Sequence, residues 1–354
     1  MGGTSRWVGE LLDGDATRQI DSRVIAGSVQ HGEVEADVSG WPMARIPELG
    51  RSIAPASDLA ALRSLRVLVL EFKPDLINTH TSKAGLLGRA VAVSIGPHRP
   101  AIVHTAHGLV LSDYYSAPVS AGIAAVERVL AARSDLILAV GNSVRRDLIS
   151  ARVAPADKVV TVLPGIADEG IRSRISEGPV IAGWLARAVK IKRPDRLLGA
   201  ARRTPDVSYL VGGDGPLRPG LEERAPANVE TLGWVEPEDF WSRCDMAVLT
   251  SDNEGVPTAL VEAALAGIPA VATNAGSVSD AVLDGVTGLV VEKNAGAVAE
   301  AVRYLADDHA ARHRMGAAAR ERALVEFSPE RMWEQHQRAY ELALENRWRR
   351  GKRR

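Results

Sequence analysis

Met246-Ala-Val-Leu-Thr-Ser-Asp-Asn-Glu-Gly-Val-Pro-Thr-Ala-Leu-Val-Glu-Ala-Ala-Leu-Ala266 reads as a strand, a loop and a helix in succession. The apolar run Met246–Thr250 predicts a strand. The polar stretch that follows, with Gly255 and Pro257, predicts a turn, and the pattern from Thr258 to Ala266 predicts a helix. A strand followed at once by a helix is the repeating unit of a parallel sheet.

The same alternation extends in both directions. Towards the C-terminus, strands are predicted at Ala270–Thr273 and Leu289–Val291. Towards the N-terminus they fall at Val180–Leu185, Ser208–Gly212 and Val229–Leu232, with a helix over Pro194–Arg203. An earlier series has strands at Arg23–Ala26, Leu76–Thr79, Ala101–Thr105, Leu136–Val140 and Val159–Leu163. Helices Asp58–Phe72, Ser82–Ile95, Ser116–Ala132 and Ser143–Ser150 lie between these strands. Gly165–Gly178 is Gly-rich, polar and without period, and the domain boundary is placed there. The reading is an α/β protein of two domains, residues 1–168 and 169–328. A length of 354 residues, too large for one comfortable core, agrees with two. Helices over Ala310–Phe327 and Glu330–Asn346 close the chain, with Ser328 as N-cap and Pro329 at the first helical position. No strand follows the last helix (residues 329–346), so it must pack away from the end of the second sheet. Residues 347–354 are read as a basic tail.

Composition narrows the classes. Apolar residues make up 46% and charged residues 25%, as in ordinary globular domains. The net charge of −1 offers no general field for nucleic acid. The last eight residues hold six positive charges, leaving −7 for the rest. The single Cys244 excludes an intramolecular disulfide, which fits a reducing cytoplasm. No apolar run is long enough to cross a bilayer, and the N-terminus lacks the apolar core of a signal peptide.

Several strand ends carry chemistry. Glu254 and Glu262 flank the turn into the helix at Thr258. The amides of Gly255, Val256 and Thr258 lie where a helix N-terminus favours phosphate or hydroxyl oxygens. Two carboxylates there can accept hydrogen bonds from sugar and ribose hydroxyls. Acidic residues at a helix start also suit the helix dipole alone, and spacing leaves both readings open. Arg187 and Lys192 flank the loop after the strand at Val180–Leu185 and can neutralise a diphosphate; a solvated basic loop is the alternative. Gly213 in Gly212-Gly-Asp-Gly-Pro216 and Gly233 in Leu232-Gly-Trp-Val235 are turns that allow a ligand close to the backbone. His104-Thr-Ala-His-Gly108 ends a strand. His104 should lie inside it and His107 beyond it, so His107 is the candidate for handling protons. His80, Ser82 and Lys83 end the previous strand and are placed on the acceptor side, although Ser82 would serve equally as an N-cap. Gly2-Gly3 precedes the helical pattern Arg6–Leu12. Such a pair ordinarily follows a strand, and here that strand is missing. The chain has no phosphate loop of the Gly-x4-Gly-Lys type, no nucleophile elbow and no zinc spacing. No essential metal and no cofactor are expected.

Taken together, the motifs resemble the family 4 retaining glycosyltransferases, nearly end to end. Glu254 and Glu262 are similar to that family's glutamate pair with seven residues between. Arg187 with Lys192 is similar to its diphosphate clamp, Gly2-Gly3 to its N-terminal glycine loop, and His107 to its active-site histidine beside the donor sugar. The resemblance implies the GT-B fold of two facing Rossmann-like domains, with an acceptor-binding first domain lacking its first strand. The second domain would bind a nucleotide sugar, UDP-linked in preference, and the last helix would return to the first domain. Glu254 would contact sugar hydroxyls and Glu262 the ribose. The segment His80–Arg89, with His107 to Tyr115, resembles a subset acting in cell-surface polysaccharide assembly, which implies a saccharide or lipid-linked acceptor. The protein would be cytoplasmic, with the basic tail touching the inner membrane face. Two other functions share the fold class: a sugar-nucleotide epimerase, and a truncated, non-catalytic homologue that binds nucleotide.

Overall fold

The computed structural model describes residues 3–28, 40–50, 52–108, 117–173 and 179–352. The chain divides into two compact units. Residues Met1–Leu163 and Met332–Arg354 form one, and Pro164–Arg331 the other.

The first unit opens with α1 (Gly3–Thr17). Two short parallel strands follow, β1 (Val24–Ala26) and β2 (Met43–Arg45). Next come α2 (Pro55–Phe72), β3 (Leu76–His80), α3 (Ser82–Ser94), β4 (Ala101–Ala106), α4 (Ala117–Arg133), β5 (Leu136–Ala139), α5 (Asn142–Ser150) and β6 (Val159–Thr161). Strands β3, β4, β5 and β6 pair in that order, all parallel. All residues of β4 and β5 are buried, as required of strands covered by helices on both faces.

The second unit contains β7 (Ile181–Leu185), α6 (Pro194–Ala201), β8 (Ser208–Gly212), α7 (Arg218–Arg224), β9 (Val229–Gly233) and α8 (Pro237–Ser242). It continues through β10 (Met246–Leu249), α9 (Thr258–Leu265), β11 (Ala270–Thr273), α10 (Val278–Ala281), β12 (Gly288–Val291), α11 (Ala295–Asp307) and α12 (His309–Glu326). The last helix, α13 (Pro329–Lys352), belongs mostly to the first unit. The six-stranded sheet has the order β12-β11-β10-β7-β8-β9 and is parallel throughout. Its core gathers Trp184 and Val211 with Met246, Val248, Val271, Val298 and Leu305.

The six-stranded and four-stranded sheets are each tied at the start of a strand by a buried aspartate. Asp245 accepts from the Ile181 amide at 2.8 Å and so links β10 to β7. Asp135 accepts from Ile102 N at 2.8 Å and pairs with Arg99 at 2.6 Å. Side chains cap the starts of α11, α12 and α13. Asn294 accepts from Ala297 N at 2.8 Å for α11, and Asp308 from Ala311 N at 2.8 Å for α12. Ser328 caps α13 through Arg331 N at 3.3 Å.

Met332, Ala339 and Ala343 of α13 lie in the core of the first unit, together with Trp7 and Leu11 of α1. The expectation of a separate tail from residue 347 is corrected, because α13 continues to Lys352. Arg347 donates to the carbonyls of Pro97 and Arg99, and Arg349 pairs with Glu345 one turn back. These contacts hold a run of like charges in helical form.

Candidate functional site

In the second unit, β7 and β10 are neighbours, but β7 leads on to β8 and β10 to β11, on opposite sides. The order therefore reverses between them. Outside the carboxyl ends of two such strands a crevice stays uncovered, and ligands bind there in sheets of this kind. The loop after β7 carries Arg187 and Lys192, and the loop after β10 carries Glu254, Gly255 and Val256.

The two loops meet. Lys192 Nζ lies 2.5 Å from Glu254 Oε1, and Ser251 Oγ donates to the same oxygen at 2.5 Å. Among the described residues no hydrogen bond reaches Glu254 Oε2. The side chains are only 23% and 10% exposed, so their attraction is stronger than it would be in bulk water. A second layer fixes the backbones. Trp184 Nε1 donates to Thr250 Oγ1 at 3.0 Å, and Thr250 Oγ1 donates to the Lys192 carbonyl at 2.8 Å. Buried Arg196 reaches the Thr250 and Ser251 carbonyls and pairs with Asp252 at 2.7 Å. Burial would raise the Asp252 carboxyl, but hydrogen bonds from Arg196 and Arg193 outweigh it and hold its pKa below the usual value. Asp252 is thus occupied by arginines.

The loop after β11 presses on the same place. Ser277 N donates to the Glu254 carbonyl at 3.1 Å. Gly276 has φ +55, and a Cβ there would stand 2.0 Å from the Glu254 carbonyl oxygen. Gly276→Ala is therefore expected to cost at least about 2 kcal/mol, from backbone strain and displacement of the Glu254 loop. Urea unfolding checks this, and an unchanged midpoint would show that the loop is loose.

The first unit builds a different constellation. His80 ends β3, and His107 stands just beyond β4. Their rings approach with Nδ1 of His80 2.9 Å from Nε2 of His107. His104 lies within β4, buried, with Nδ1 2.9 Å from Thr79 Oγ1. The Trp7 ring lies edge-on to His107 at 5.5 Å and to His336 of α13 at 5.6 Å. Burial lowers the pKa of His107 to about 4, with the charge of His336 adding to it. His336 is also brought to about 4 by burial, against the opposing hydrogen bond to Met332 O. His80 and His104 are held well below the ordinary value, again mainly by burial.

The family described as "Glycosyltransferase Family 4" matches residues 1–169, and "Glycosyl transferases group 1" matches residues 168–322. With these two domains in succession, the chain is a glycosyltransferase. It is 26% identical over 329 residues to the capsular polysaccharide biosynthesis glycosyltransferase CapM of Staphylococcus aureus, spanning 85% of this chain and 86% of that one. It is 25% identical over 274 residues to an Escherichia coli enzyme described as UDP-Gal:alpha-D-GlcNAc-diphosphoundecaprenol alpha-1,3-galactosyltransferase, spanning 70% of each. Sucrose-phosphate synthase from Thermosynechococcus elongatus superposes with a TM-score of 0.83 at 18% identity, covering 96% of this chain and 93% of that one. Anabaena HepE in complex with UDP and glucose superposes with a TM-score of 0.78 at 17% identity, covering 96% of each. The fold is GT-B.

The remaining residues of this glycosyltransferase are placed as follows. Gly213 N donates to the Gly233 carbonyl at 2.6 Å, and both glycines have positive φ, +114 and +73. The bond joins the end of β9 to the turn that follows β8. Thr258 opens α9, and Glu262 lies one turn further along it. Arg187 is exposed in its loop. Lys83 pairs with Asp58 at 2.5 Å and fastens α3 to α2. Ser82 is the first residue of α3 and not its cap; that position falls to Thr81, whose side chain makes no capping bond. Gly3 stands in the first turn of α1 and not in a loop before it, whereas Gly2 and the stretch 109–116 lie outside the described residues. The sequence reading missed Ser251 and Gly276. Gly276, in Asn274-Ala-Gly-Ser277, carried the ordinary turn signal of a glycine after a strand.

Proposed function

We propose that this glycosyltransferase transfers a sugar from a nucleotide sugar, with UDP as the favoured nucleotide, to a hydroxyl of a saccharide or lipid-linked acceptor, with retention and without a metal. The Lys192–Glu254 pair at the sheet's reversal point carries the reading. It puts a cation for a diphosphate beside a carboxylate with one oxygen left for sugar hydroxyls. The relatives support it: the E. coli enzyme's name specifies a UDP-galactose donor and a lipid-diphosphate acceptor, and HepE was captured with UDP-glucose.

In this reading the bond from the anomeric carbon to the diphosphate breaks, and the oxygen leaves with the electron pair. Arg187, Lys192 and the amides of Gly255, Val256 and Thr258 stabilise the charge that develops there. Gly213 and Gly233, having no side chains, allow close approach of the donor to the backbone, and Glu262 holds the ribose. By the family resemblance, Gly2, Gly3 and His107 are assigned to the donor, and His80, Ser82 and Lys83 to the acceptor. The acceptor hydroxyl adds to the face that the diphosphate leaves and passes its proton to the departing phosphate oxygen, so no protein nucleophile is needed. Incubation with UDP-sugars should release UDP slowly and faster with a suitable acceptor. A nucleotide sugar returned with an inverted ring carbon would replace transfer by epimerisation.

The basic end of α13 suits the surface of an anionic membrane, where each cation contributes about 1 kcal/mol. Trp348 there is 61% exposed, and no helix of the described chain is long and apolar enough to cross a membrane. The protein is expected to sediment with phosphatidylglycerol vesicles at low salt and to be released at high salt. Equal binding to purely zwitterionic vesicles would contradict this.

A further inference from the structure

His80 and His107 project from neighbouring strands at the same end of one sheet, because β3 and β4 run parallel with His80 opposite Thr105. The 2.9 Å separation of His80 Nδ1 and His107 Nε2 admits a single proton between them. Two N–H groups would collide, and two bare nitrogens would repel. The tautomers are therefore coupled. When His80 Nδ1 carries the shared proton, His107 must hold its own on Nδ1 and can donate from there. Burial keeps both rings neutral, which preserves the one-proton bond.

Other contacts restrict the same pair. Trp7 closes one side of the His107 ring at 5.5 Å. Directly after His80, Thr81 adopts φ 63 and ψ 163, a conformation suited to glycine and strained for a β-branched residue. The strained turn fixes the direction in which β3 delivers His80 before α3 begins at Ser82. Among the described residues, His80 alone hydrogen-bonds the His107 ring.

We infer that His80 is a positioning residue for His107, its Nδ1 bond fixing the tautomer and rotation of that imidazole so that Nδ1 of His107 is the atom presented to substrate. The inference rests on the reading of His107 as the active-site histidine, and it moves His80 from contacting the acceptor to acting through His107.

The test combines spectra and kinetics on the intact chain. In long-range ¹H–¹⁵N spectra of histidine-labelled protein, His107 is identified by its loss in His107→Gln and should show one neutral tautomer. In His80→Leu that signal should move towards a mixture of tautomers. With a UDP-sugar, His80→Leu should lower kcat about 10–100-fold with the donor KM little changed, the scale typical of lost orienting partners. His80→Asn, whose amide can stand near the Nδ1 position, should recover most of both effects, and a folded His80→Asn keeps the test decisive if His80→Leu does not fold. A His107 tautomer that stays locked in folded His80→Leu overturns the inference, as does unchanged kcat once the lock is lost. If the unmodified protein turns over no nucleotide sugar, the functional reading fails, and the tautomer spectra still decide whether His80 positions His107.

Discussion

Replacing Glu254 with alanine is expected to lower kcat/KM for the nucleotide-sugar donor at least about 100-fold, with the fold retained. Two losses combine. The carboxylate that would receive sugar hydroxyls is gone, and Lys192 loses the partner now 2.5 Å away. Removing one member of a largely buried, hydrogen-bonded charge pair typically costs about 2–5 kcal/mol. Ser251 also loses its acceptor on Oε1. Glu254→Gln keeps the shape and one acceptor oxygen but not the charge, and should fall between the two. The fold should survive because the loop backbone is held independently, by Arg196 on the Thr250 and Ser251 carbonyls and by Ser277 N on the Glu254 carbonyl. Steady-state rates over a donor series, with circular dichroism as the control for folding, measure the effect. Equal turnover in Glu254→Ala would remove this residue from the donor site.

The second large effect is acid sensitivity of the first unit. His336 is fully buried, its Nε2 has no hydrogen-bond partner among the described residues, and its pKa is lowered to about 4. When unfolded, a histidine titrates near about 6.5. Between those values the unfolded chain binds the proton and the native protein does not, so stability falls as the pH drops. The stabilisation is complete above the unfolded pKa. It is lost progressively down to the folded pKa and is constant below it. For His336 alone the change amounts to about 3 kcal/mol, and His107, also lowered to about 4, pulls in the same direction. Ordinary domains are stable by only about 5–15 kcal/mol. The first unit should therefore melt several degrees lower at pH 5 than at pH 7.5, and His336→Leu should flatten that dependence. The shifted groups of the second unit that titrate in acid are carboxylates such as Asp195 and Asp252, lowered below their usual values, so its acid loss should begin at lower pH. Calorimetric melting over that pH range checks this. A melting temperature insensitive to pH would mean that these histidines take up protons while the chain is folded.

Much of this was legible in the sequence because strands buried on both faces write themselves as short apolar runs. Met246–Leu249 and Ala270–Thr273 are such runs, and the helices between them follow glycine and proline turns. Strand order was not legible. Nothing near Lys192 or Glu254 says that β10 lies against β7, so their ion pair emerges only from the sheet. The bond between His80 and His107 was hidden for the same reason, since it depends on the parallel register of β3 and β4. Lys83 illustrates the converse: a cation near a candidate site proved to be tied to Asp58 on the neighbouring helix. The end of α13 read as a tail because its charges look solvated, and its acceptors, the carbonyls of Pro97 and Arg99, carry no side-chain signal.

On the proposed function, the crevice between β7 and β10 binds the diphosphate of a nucleotide sugar. Calorimetric titration of UDP into the protein and into Lys192→Ala tests it most directly. The account predicts one UDP bound per chain, with affinity at least about tenfold weaker in Lys192→Ala because a charge-assisted contact to the diphosphate is lost. Equal affinity in the two proteins, or no binding of either UDP or GDP to the unmodified one, would contradict it.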